Sequence, residues 1–242
     1  MQFFKVLSAD FLKMRRLAVK SAHLIVPVLI SIIFLLYYTG NAWSEETQFT
    51  AFYEAVGAGY PLVIGVLSAM AAQQEQSAGN YQNLLAYPQR RAVFLSKCVL
   101  LAGLGLTAVL LTSAVFGIGF YKFLGNTKFD MTVYVIMALA IWGGGLPLYI
   151  WHLLTAFAAG AGVSAGIGLV ESLIGFLLLT DMGKWVWKYI PCTWSSRLAQ
   201  TVTDTNAGFP KGFIGIYAAV VTVSLILYLY WAGRWEGGRR TE

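Results

Sequence analysis

The sequence predicts an all-α membrane protein with six transmembrane helices and an N-terminal amphipathic helix at the membrane interface. Of its 242 residues, 58% are hydrophobic and 12% are charged, about half the charged fraction of an average soluble domain. The mean hydropathy is +0.66, and the apolar residues form long blocks of the roughly 20 residues that a helical span needs. Because backbone polar groups in hydrocarbon need internal partners, each block is predicted to be a helix.

The first 20 residues (1–20) predict a helix that lies on the membrane surface. In "MQFFKVLSADFLKMRR", the apolar residues Phe4, Leu7, Phe11 and Met14 recur at helical spacing, while the charged residues fall on other faces. This pattern is typical of an interfacial helix. A plain surface anchor and a mechanical element both remain open as its role.

Six apolar blocks are predicted to be the transmembrane spans. They cover residues 22–39, 52–72, 98–121, 131–153, 156–180 and 212–231. Only "HLLTAFAAGAG" joins the fourth and fifth blocks, without a charge, so we expect a short turn there, and a five-span chain is the alternative. Span four contains the run Gly143–Gly145 and Pro147, which predicts a weakened or kinked helix. Gly162 and Gly166 in span five predict the close approach of another helix.

The basic residues predict the orientation of the chain. Those before span one, between spans two and three, and after span six are Lys5, Lys13, Arg15, Arg16, Lys20, Arg90, Arg91, Lys97, Arg234, Arg239 and Arg240. Those on the other side are Lys122, Lys128, Lys184, Lys188, Arg197 and Lys211. The excess on the first side predicts that both termini are cytoplasmic. The positive rim suits a surface of anionic lipid, and no feature indicates a nucleic-acid partner.

The longest outer segment, residues 181–211, is rich in aromatic residues. Its Trp185, Trp187, Tyr189 and Trp194 predict an outer lid at headgroup depth, where amphipathic rings accumulate. Trp185, Trp187 and Trp194 are candidates for contact with a substrate or partner, and a plain aromatic belt is the alternative.

No catalytic or metal site is predicted. The sequence "GVSAG" matches G-x-S-x-G, but the motif requires a strand-to-helix turn and Ser164 lies in a predicted membrane helix, so we do not expect it to be a nucleophile. No cluster of Cys, His, Asp or Glu accompanies His23 or His152 in the sequence, so a metal site is not expected. Cys98 and Cys192 are predicted on opposite sides of the membrane, which excludes a disulfide between them.

Glu171 is an isolated carboxyl in the apolar stretch "GLVESLIGF". A carboxylate at membrane depth costs about 2.5–3.5 kcal/mol, and such groups usually face a bundle interior or a wet cavity. Three roles remain open: contact with a cationic substrate, pairing with a basic residue of a partner subunit, or a protonated carboxyl hydrogen-bonded to a neighbouring helix.

A polar segment, residues 73–97, lies between spans two and three and is predicted to be a cytoplasmic coupling loop. Its "YQNLLAYP" predicts a short helix with one apolar side that Pro88 ends; the apolar residues are Tyr81, Leu84, Leu85 and Tyr87. Such a helix can lie in a groove of a partner. The sequence lacks G-x-x-x-x-G-K-[ST], so the chain carries no phosphate-binding loop of its own.

The residues of this segment resemble those of ABC-2-type permeases, which are six-span exporter subunits. Glu75, Gly79, the Leu84–Leu85 pair, Pro88, Arg90 and Lys97 carry the resemblance. It implies a coupling helix that meets a separate ATPase through Glu75, Gly79, Tyr81, Leu84, Leu85, Tyr87, Pro88, Arg90 and Arg91.

Three further stretches resemble the G-type permeases of lantibiotic immunity transporters. They are "ADFLKMRR", with Asp10 in place of the usual Glu, "HLIVPVLISIIFLLYY" and "WKYIPCTW". The resemblance implies a permease subunit that expels lantibiotic peptides from a Gram-positive plasma membrane, with no cofactor on this chain. Its implied partners are a cytoplasmic ATPase dimer that binds ATP and Mg²⁺, a sister six-span permease and membrane lipid. An ABC-2 permease for a bacteriocin, drug or lipid, and a membrane sensor or scaffold, remain the alternatives.

Overall fold

The computed structural model describes residues 2–14, 18–203 and 212–237. These residues form nine α-helices and no strand, so the predicted all-α membrane fold is confirmed. The helices are α1 (Gln2–Met14), α2 (Ala18–Thr39), α3 (Glu45–Ser77), α4 (Gln82–Leu85), α5 (Arg90–Leu124), α6 (Met131–Ala158), α7 (Ala161–Leu177), α8 (Trp194–Thr203) and α9 (Phe213–Arg234). Of the segments discussed above, residues 15–17, 204–211 and 238–242 lie outside the described residues.

Five of the described helices are long and apolar enough to cross a membrane. They are Ser21–Thr39 within α2, and α3, α5, α6 and α9. The block predicted as span five, residues 156–180, forms the shorter helix α7 of 17 residues. At 1.5 Å per residue α7 is about 26 Å long, less than the roughly 30 Å of hydrocarbon in a bilayer. The turn before it consists of Ala159 and Gly160 alone, and Gly160 has a φ of 105° that favours glycine.

The helices on either side of the polar segment are longer than the predicted spans. Helix α3 continues to Ser77 and α5 begins at Arg90, so the connection between them is residues 78–89, called here the α3–α5 loop. Gln, Glu, Arg and Lys are good helix formers, so the helices extend past the ends of the apolar blocks. The prediction from the apolar blocks alone, residues 73–97, therefore made the loop longer than the 78–89 that the structure has.

Helices α3 and α7 pack with their backbones in close contact. A Cβ on Gly168 would lie 2.8 Å from the Pro61 carbonyl oxygen, and a Cβ on Gly65 would lie 2.8 Å from that of Ser164. Gly162 and Gly166, from which the close approach of another helix was predicted, have nothing within 4 Å of such a Cβ. That prediction was wrong for contacts within this chain, because the four-residue spacing of glycines does not tell which face of the helix meets a neighbour.

Helix α8 begins deep inside the bundle, between α3 and α6. A Cβ on Gly144 would lie 2.5 Å from the Ser195 nitrogen, and a Cβ on Gly57 would lie 2.6 Å from the Ser196 Cα. Gly144 is 13 residues into α6, or about 20 Å along a helix roughly 42 Å long. The chain after α7 therefore turns back into the bundle to about half its depth.

Pro147 lies inside α6 and removes one of its backbone hydrogen bonds. Proline has no N–H to donate to the carbonyl four residues earlier, which here is that of Gly143. The Tyr217 hydroxyl of α9 donates to this carbonyl at 2.7 Å, and α6 continues without a break. A neighbouring helix thus satisfies the carbonyl that the proline leaves free.

A buried arginine fixes the end of α7 to α8. The Arg197 guanidinium donates to the Leu178 and Thr180 carbonyl oxygens and to the Gln200 side chain. Gln200 in turn donates to Glu54 of α3 at 2.8 Å. A cation at a helix C-terminus is favourable, because the last carbonyls carry partial negative charge.

Candidate functional site

The α3–α5 loop turns sharply at three successive residues with positive φ. Gly79, Asn80 and Tyr81 have φ values of 124°, 49° and 66°. The N–H groups of Asn80 and Tyr81 donate to the Gln76 and Glu75 carbonyl oxygens, which the end of α3 leaves without helical partners. A tyrosine with positive φ is uncommon, so the packing of its ring must offset the strain.

The apolar side of α4 faces the protein's own interior. The Tyr81 ring packs on Trp235 and Phe157, with centroids 5.1 and 5.9 Å away, and burial raises the pKa of its hydroxyl. Leu84 is buried as well. The face that was expected to lie in a groove of a partner is therefore covered by α6 and by the residues that follow α9.

A buried ion cluster ties α1, α3 and α5 together beside this loop. The Lys97 ammonium lies 2.7 Å from a Glu75 carboxylate oxygen and 3.3 Å from an Asp10 carboxylate oxygen. The Ser96 hydroxyl donates to the other Asp10 oxygen at 2.9 Å. Glu75, Lys97 and Asp10 are 3–5% exposed, so Glu75 acts on the position of the loop and offers no free surface to a partner.

Trp235, which follows α9, contacts both the start of α5 and the loop. Arg90, the first residue of α5, donates from Nη1 to the Trp235 carbonyl oxygen at 2.8 Å. The Trp235 ring packs on Phe94 of α5 as well as on Tyr81. Tyr81 thus ties the loop to α6 and to the residue that follows α9, and the ion cluster joins α1, α3 and α5 beside it.

The predicted coupling residues divide into three groups by exposure. Glu75, Tyr81 and Leu84 are buried, Leu85, Tyr87 and Arg90 are half-buried, and Gly79, Pro88 and Arg91 are exposed. The surface that the loop region presents consists mainly of polar side chains: Gln76, Ser77, Asn80, Gln82, Asn83, Gln89 and Arg91. A protein that binds here meets mainly amide groups and the Arg91 guanidinium.

The tryptophans of the outer segment do not form one surface. Trp185 and Tyr189 are 85% and 70% exposed, whereas Trp187 and Trp194 are buried with Phe213. The indole N–H of Trp194 donates to the Trp187 carbonyl oxygen at 3.1 Å. Of the three candidates for contact with a substrate or partner, only Trp185 therefore has a free ring.

Glu171 takes part in a hydrogen-bonded chain with His152 and Ser164. The Glu171 Oε2 lies 2.8 Å from His152 Nε2, and His152 Nδ1 lies 3.2 Å from Ser164 Oγ. Ser164 is fully buried, and its hydroxyl also lies within hydrogen-bond distance of the Gly65 and His152 carbonyl oxygens. The chain links α6, α7 and α3, which agrees with the carboxyl being held by a neighbouring helix.

These three residue types also occur in hydrolase triads, but this arrangement does not support nucleophilic catalysis. A nucleophile must reach its substrate, and the Ser164 hydroxyl has no exposed surface. Within the described part of the chain, no group of three or more His, Cys, Asp or Glu side chains could hold a metal ion. The polar groups in the bundle therefore connect helices.

Comparison with known families decides the class of protein. The family model described as ABC-2 family transporter protein matches residues 6–194, which covers α1 to the start of α8. The chain belongs to this family. No curated protein sequence matches it significantly.

As an ABC-2 transporter protein, the chain is a membrane transport subunit and not itself the catalyst of ATP hydrolysis, and membership implies an ABC ATPase as partner. The matched region contains the α3–α5 loop, the ion cluster and the His152–Glu171 pair. The end of α9, with Trp235, follows the matched region.

Sequence reasoning missed several residues of this site. Nothing in a single sequence pairs Arg90 with the Trp235 carbonyl, 145 positions away, or His152 with Glu171 on the next helix. One signal was available: a carboxyl in an apolar helix needs a polar partner, and His152 is one of two histidines in the chain.

Proposed function

We propose that this chain is the permease subunit of an ATP-driven exporter that expels lantibiotic peptides from the membrane and so gives immunity or resistance. Its partners are a cytoplasmic ABC ATPase dimer, which binds ATP and Mg²⁺, and a sister six-span permease. The subunit lies in a Gram-positive plasma membrane with both termini cytoplasmic. Family membership supports transport, and the resemblance of "ADFLKMRR" and "WKYIPCTW" to lantibiotic immunity permeases supports the cargo.

The observation that carries the coupling role is the way the α3–α5 loop is held. At its base, Lys97 of α5 pairs with Glu75 of α3 and Asp10 of α1, and Arg90 at the start of α5 donates to the Trp235 carbonyl after α9. Within the loop, the Tyr81 ring packs on Trp235. A force on the exposed Asn83 or Arg91 therefore reaches several helices, because packed side chains and salt bridges transmit displacement with little compliance. An ATPase that changes shape during hydrolysis needs such an attachment point.

The basic rim supports the orientation. The α3–α5 loop lies on the side with eleven of the seventeen Lys and Arg residues, the side that is cytoplasmic in most membrane proteins. The opposite side has the exposed Trp185 and Tyr189, which suit the headgroup region where an amphipathic peptide would be met.

The test is to co-express the chain with a candidate ABC ATPase and a candidate second permease from the same organism and to purify the complex through a tag on this chain. The double variant Asn83→Arg, Arg91→Glu changes two exposed groups of the loop. The matched control, Thr127→Arg, Lys122→Glu, makes the same kinds of change at exposed positions near the α5–α6 connection. We expect the loop variant to lose the ATPase about tenfold or more, a loss of about 1.4 kcal/mol, and the control to retain it.

Equal recovery of the ATPase with both variants would refute the coupling role. The cargo is tested separately by adding a purified lantibiotic to the reconstituted complex. Stimulation of ATP hydrolysis by the lantibiotic, and none by an unmodified peptide of the same charge, is the expected result. A complex that ignores the lantibiotic but responds to a lipid or drug would support the wider ABC-2 role with another cargo.

A further inference from the structure

An apolar cleft of about 230 Å³ lies between α2, α3 and α5, with Tyr149 of α6 at its inner end. Its wall on α3 runs from Val56 to Met70, a length of about 21 Å along the helix. Pro27 and Ile30 of α2 and Ala108 and Val109 of α5 form the other walls. The cleft is therefore long and narrow and runs parallel to the helices.

The cleft exists because small side chains line it. A Cβ on Gly59 would meet nothing within 4 Å, and Ala22 and Ala108 also face the space. The polar groups of the lining already have partners: the Tyr60 and Tyr149 hydroxyls are 2.9 Å apart, Thr112 donates to the Ala108 carbonyl, and His23 is engaged as well. Water would find few free partners here, and apolar cavities of this kind stay dry.

The mouth of the cleft opens sideways onto the apolar surface of the bundle. Val26 and Val66 at the mouth are 41% and 39% exposed, and the exposed apolar face of α2 continues with Leu29 and Ile33. In a membrane protein this surface meets lipid hydrocarbon. An empty cleft would forfeit the dispersion contacts of its lining, whereas an acyl chain can enter without crossing a polar barrier.

We propose that this cleft binds one acyl chain of a membrane phospholipid, which enters laterally from the bilayer. The narrow shape suits an extended chain better than a fused ring system. A transmembrane helix of a second subunit, about 10 Å wide with its side chains, would cover the mouth without filling the length of the cleft. The proposal depends on the membrane location of the chain and is independent of the cargo and of the ATPase.

The test uses the purified full chain in phosphatidylcholine–phosphatidylglycerol vesicles that contain a phospholipid with a diazirine at mid-chain. After illumination, we expect mass spectrometry to find the label on lining residues such as Val63 and Ala108. The variant Gly59→Phe fills the open space, and we expect about tenfold less label at these residues. The matched control Gly215→Phe, also at a glycine with open space around it but on α9, should label like the unmodified protein.

Ala108→Phe fills the cleft from α5 and guards against misfolding of the first variant; melting and gel filtration must match the unmodified protein for a variant to be scored. Equal labelling in the filled and control variants, or none at lining residues of the unmodified protein, would overturn the proposal. Labelling that appears only after a lantibiotic is added would assign the cleft to cargo. Labelling lost when the sister permease is co-reconstituted would assign it to a subunit interface, and either result also overturns it.

Discussion

The buried Lys97 ammonium lies between two carboxyl groups at the base of the α3–α5 loop. Lys97 lies within 3.3 Å of Asp10 and within 2.7 Å of Glu75, and all three are almost fully buried. The cost of leaving a charge unpaired in such a place is much larger than the net gain from forming the pair. The cluster therefore fixes how α1, α3 and α5 are arranged at the base of the α3–α5 loop.

We predict that Lys97→Met lowers the free energy of unfolding by about 3–5 kcal/mol, because two buried carboxylates lose their counter-charge. Unfolding in mixed micelles, followed by circular dichroism, measures the change. Lys128→Met is the control, since Lys128 pairs with Glu46 at a site where both side chains are more than half exposed, and it should cost about 0–1 kcal/mol. Similar losses in the two variants would contradict the importance of the buried cluster.

Glu171 offers a second prediction at this scale. Glu171→Gln keeps a group that can hydrogen-bond to His152 Nε2, whereas Glu171→Leu leaves that nitrogen without its partner at 2.8 Å. We expect the leucine variant to lose about 1–3 kcal/mol and the glutamine variant to lose less, as measured by melting of the purified protein. If the leucine variant melts like the unmodified protein, the hydrogen bond does not hold α6 to α7. A glutamine variant that is stable but inactive in transport would assign Glu171 a charge-dependent role as well.

The roles of individual residues were the hardest to predict from sequence. The family resemblance selected Glu75 and Lys97, but not that they pair with each other or with Asp10, 87 positions from Lys97. The pairing depends on how α1 lies across α5. The spacing of apolar residues within one helix does not predict which residues of another helix it will contact. Tyr81 and Leu84 were likewise predicted to lie on the apolar side of a short helix, but the sequence did not predict which residues they pack against.

At the scale of elements, the re-entrant position of α8 depends on close backbone contact at Gly57 and Gly144. A methyl group at either position would overlap the backbone of Ser195 or Ser196. Cys192, three residues before Ser195, is free and buried. A buried structural thiol reacts slowly, because reagents do not reach it.

We predict that Gly144→Ala displaces α8 and costs about 1–3 kcal/mol, as overpacking does in other cores. Gly143→Ala, one residue away with open space around the new methyl group, should be neutral or stabilise α6 by up to about 1 kcal/mol. The rate at which Cys192 reacts with a maleimide, mapped by peptide mass, should rise in the first variant alone. An unchanged rate in both would mean that α8 tolerates the methyl group without moving.

Elements were predicted with uneven success, for physical reasons. Long apolar blocks located α2, α3, α5, α6 and α9, because hydrophobic length reports directly on membrane helices. Their ends were misplaced where polar helix formers continue the helix, as at Gln73–Ser77. The inward path of residues 191–203 could not be foreseen, because its polar "TWSSR" is buried by shape-matched glycines on α3 and α6 that are distant in sequence.

In the molecule as a whole, coupling to a cytoplasmic ATPase requires the α3–α5 loop to lie on the inner side of the membrane and the α5–α6 connection on the outer side. They lie at the two ends of α5, whose 35 residues span about 52 Å. We predict that a membrane-impermeant maleimide labels Thr127→Cys in intact cells and Asn83→Cys only after the cells are permeabilised. Both positions are exposed, so the labelling rates report on the side of the membrane. The reverse pattern would place the loop outside the cell and exclude any contact with a cytoplasmic ATPase.

Cross-linking decides whether a separate ATPase acts on this subunit at the α3–α5 loop. A photo-reactive amino acid replaces Asn83 in the co-expressed complex, and Thr127 in the control. We expect an ATP-sensitive cross-link from position 83 to the ATPase and none from position 127. A complex in which position 83 never reaches the ATPase, while transport and ATP hydrolysis proceed normally, would contradict it.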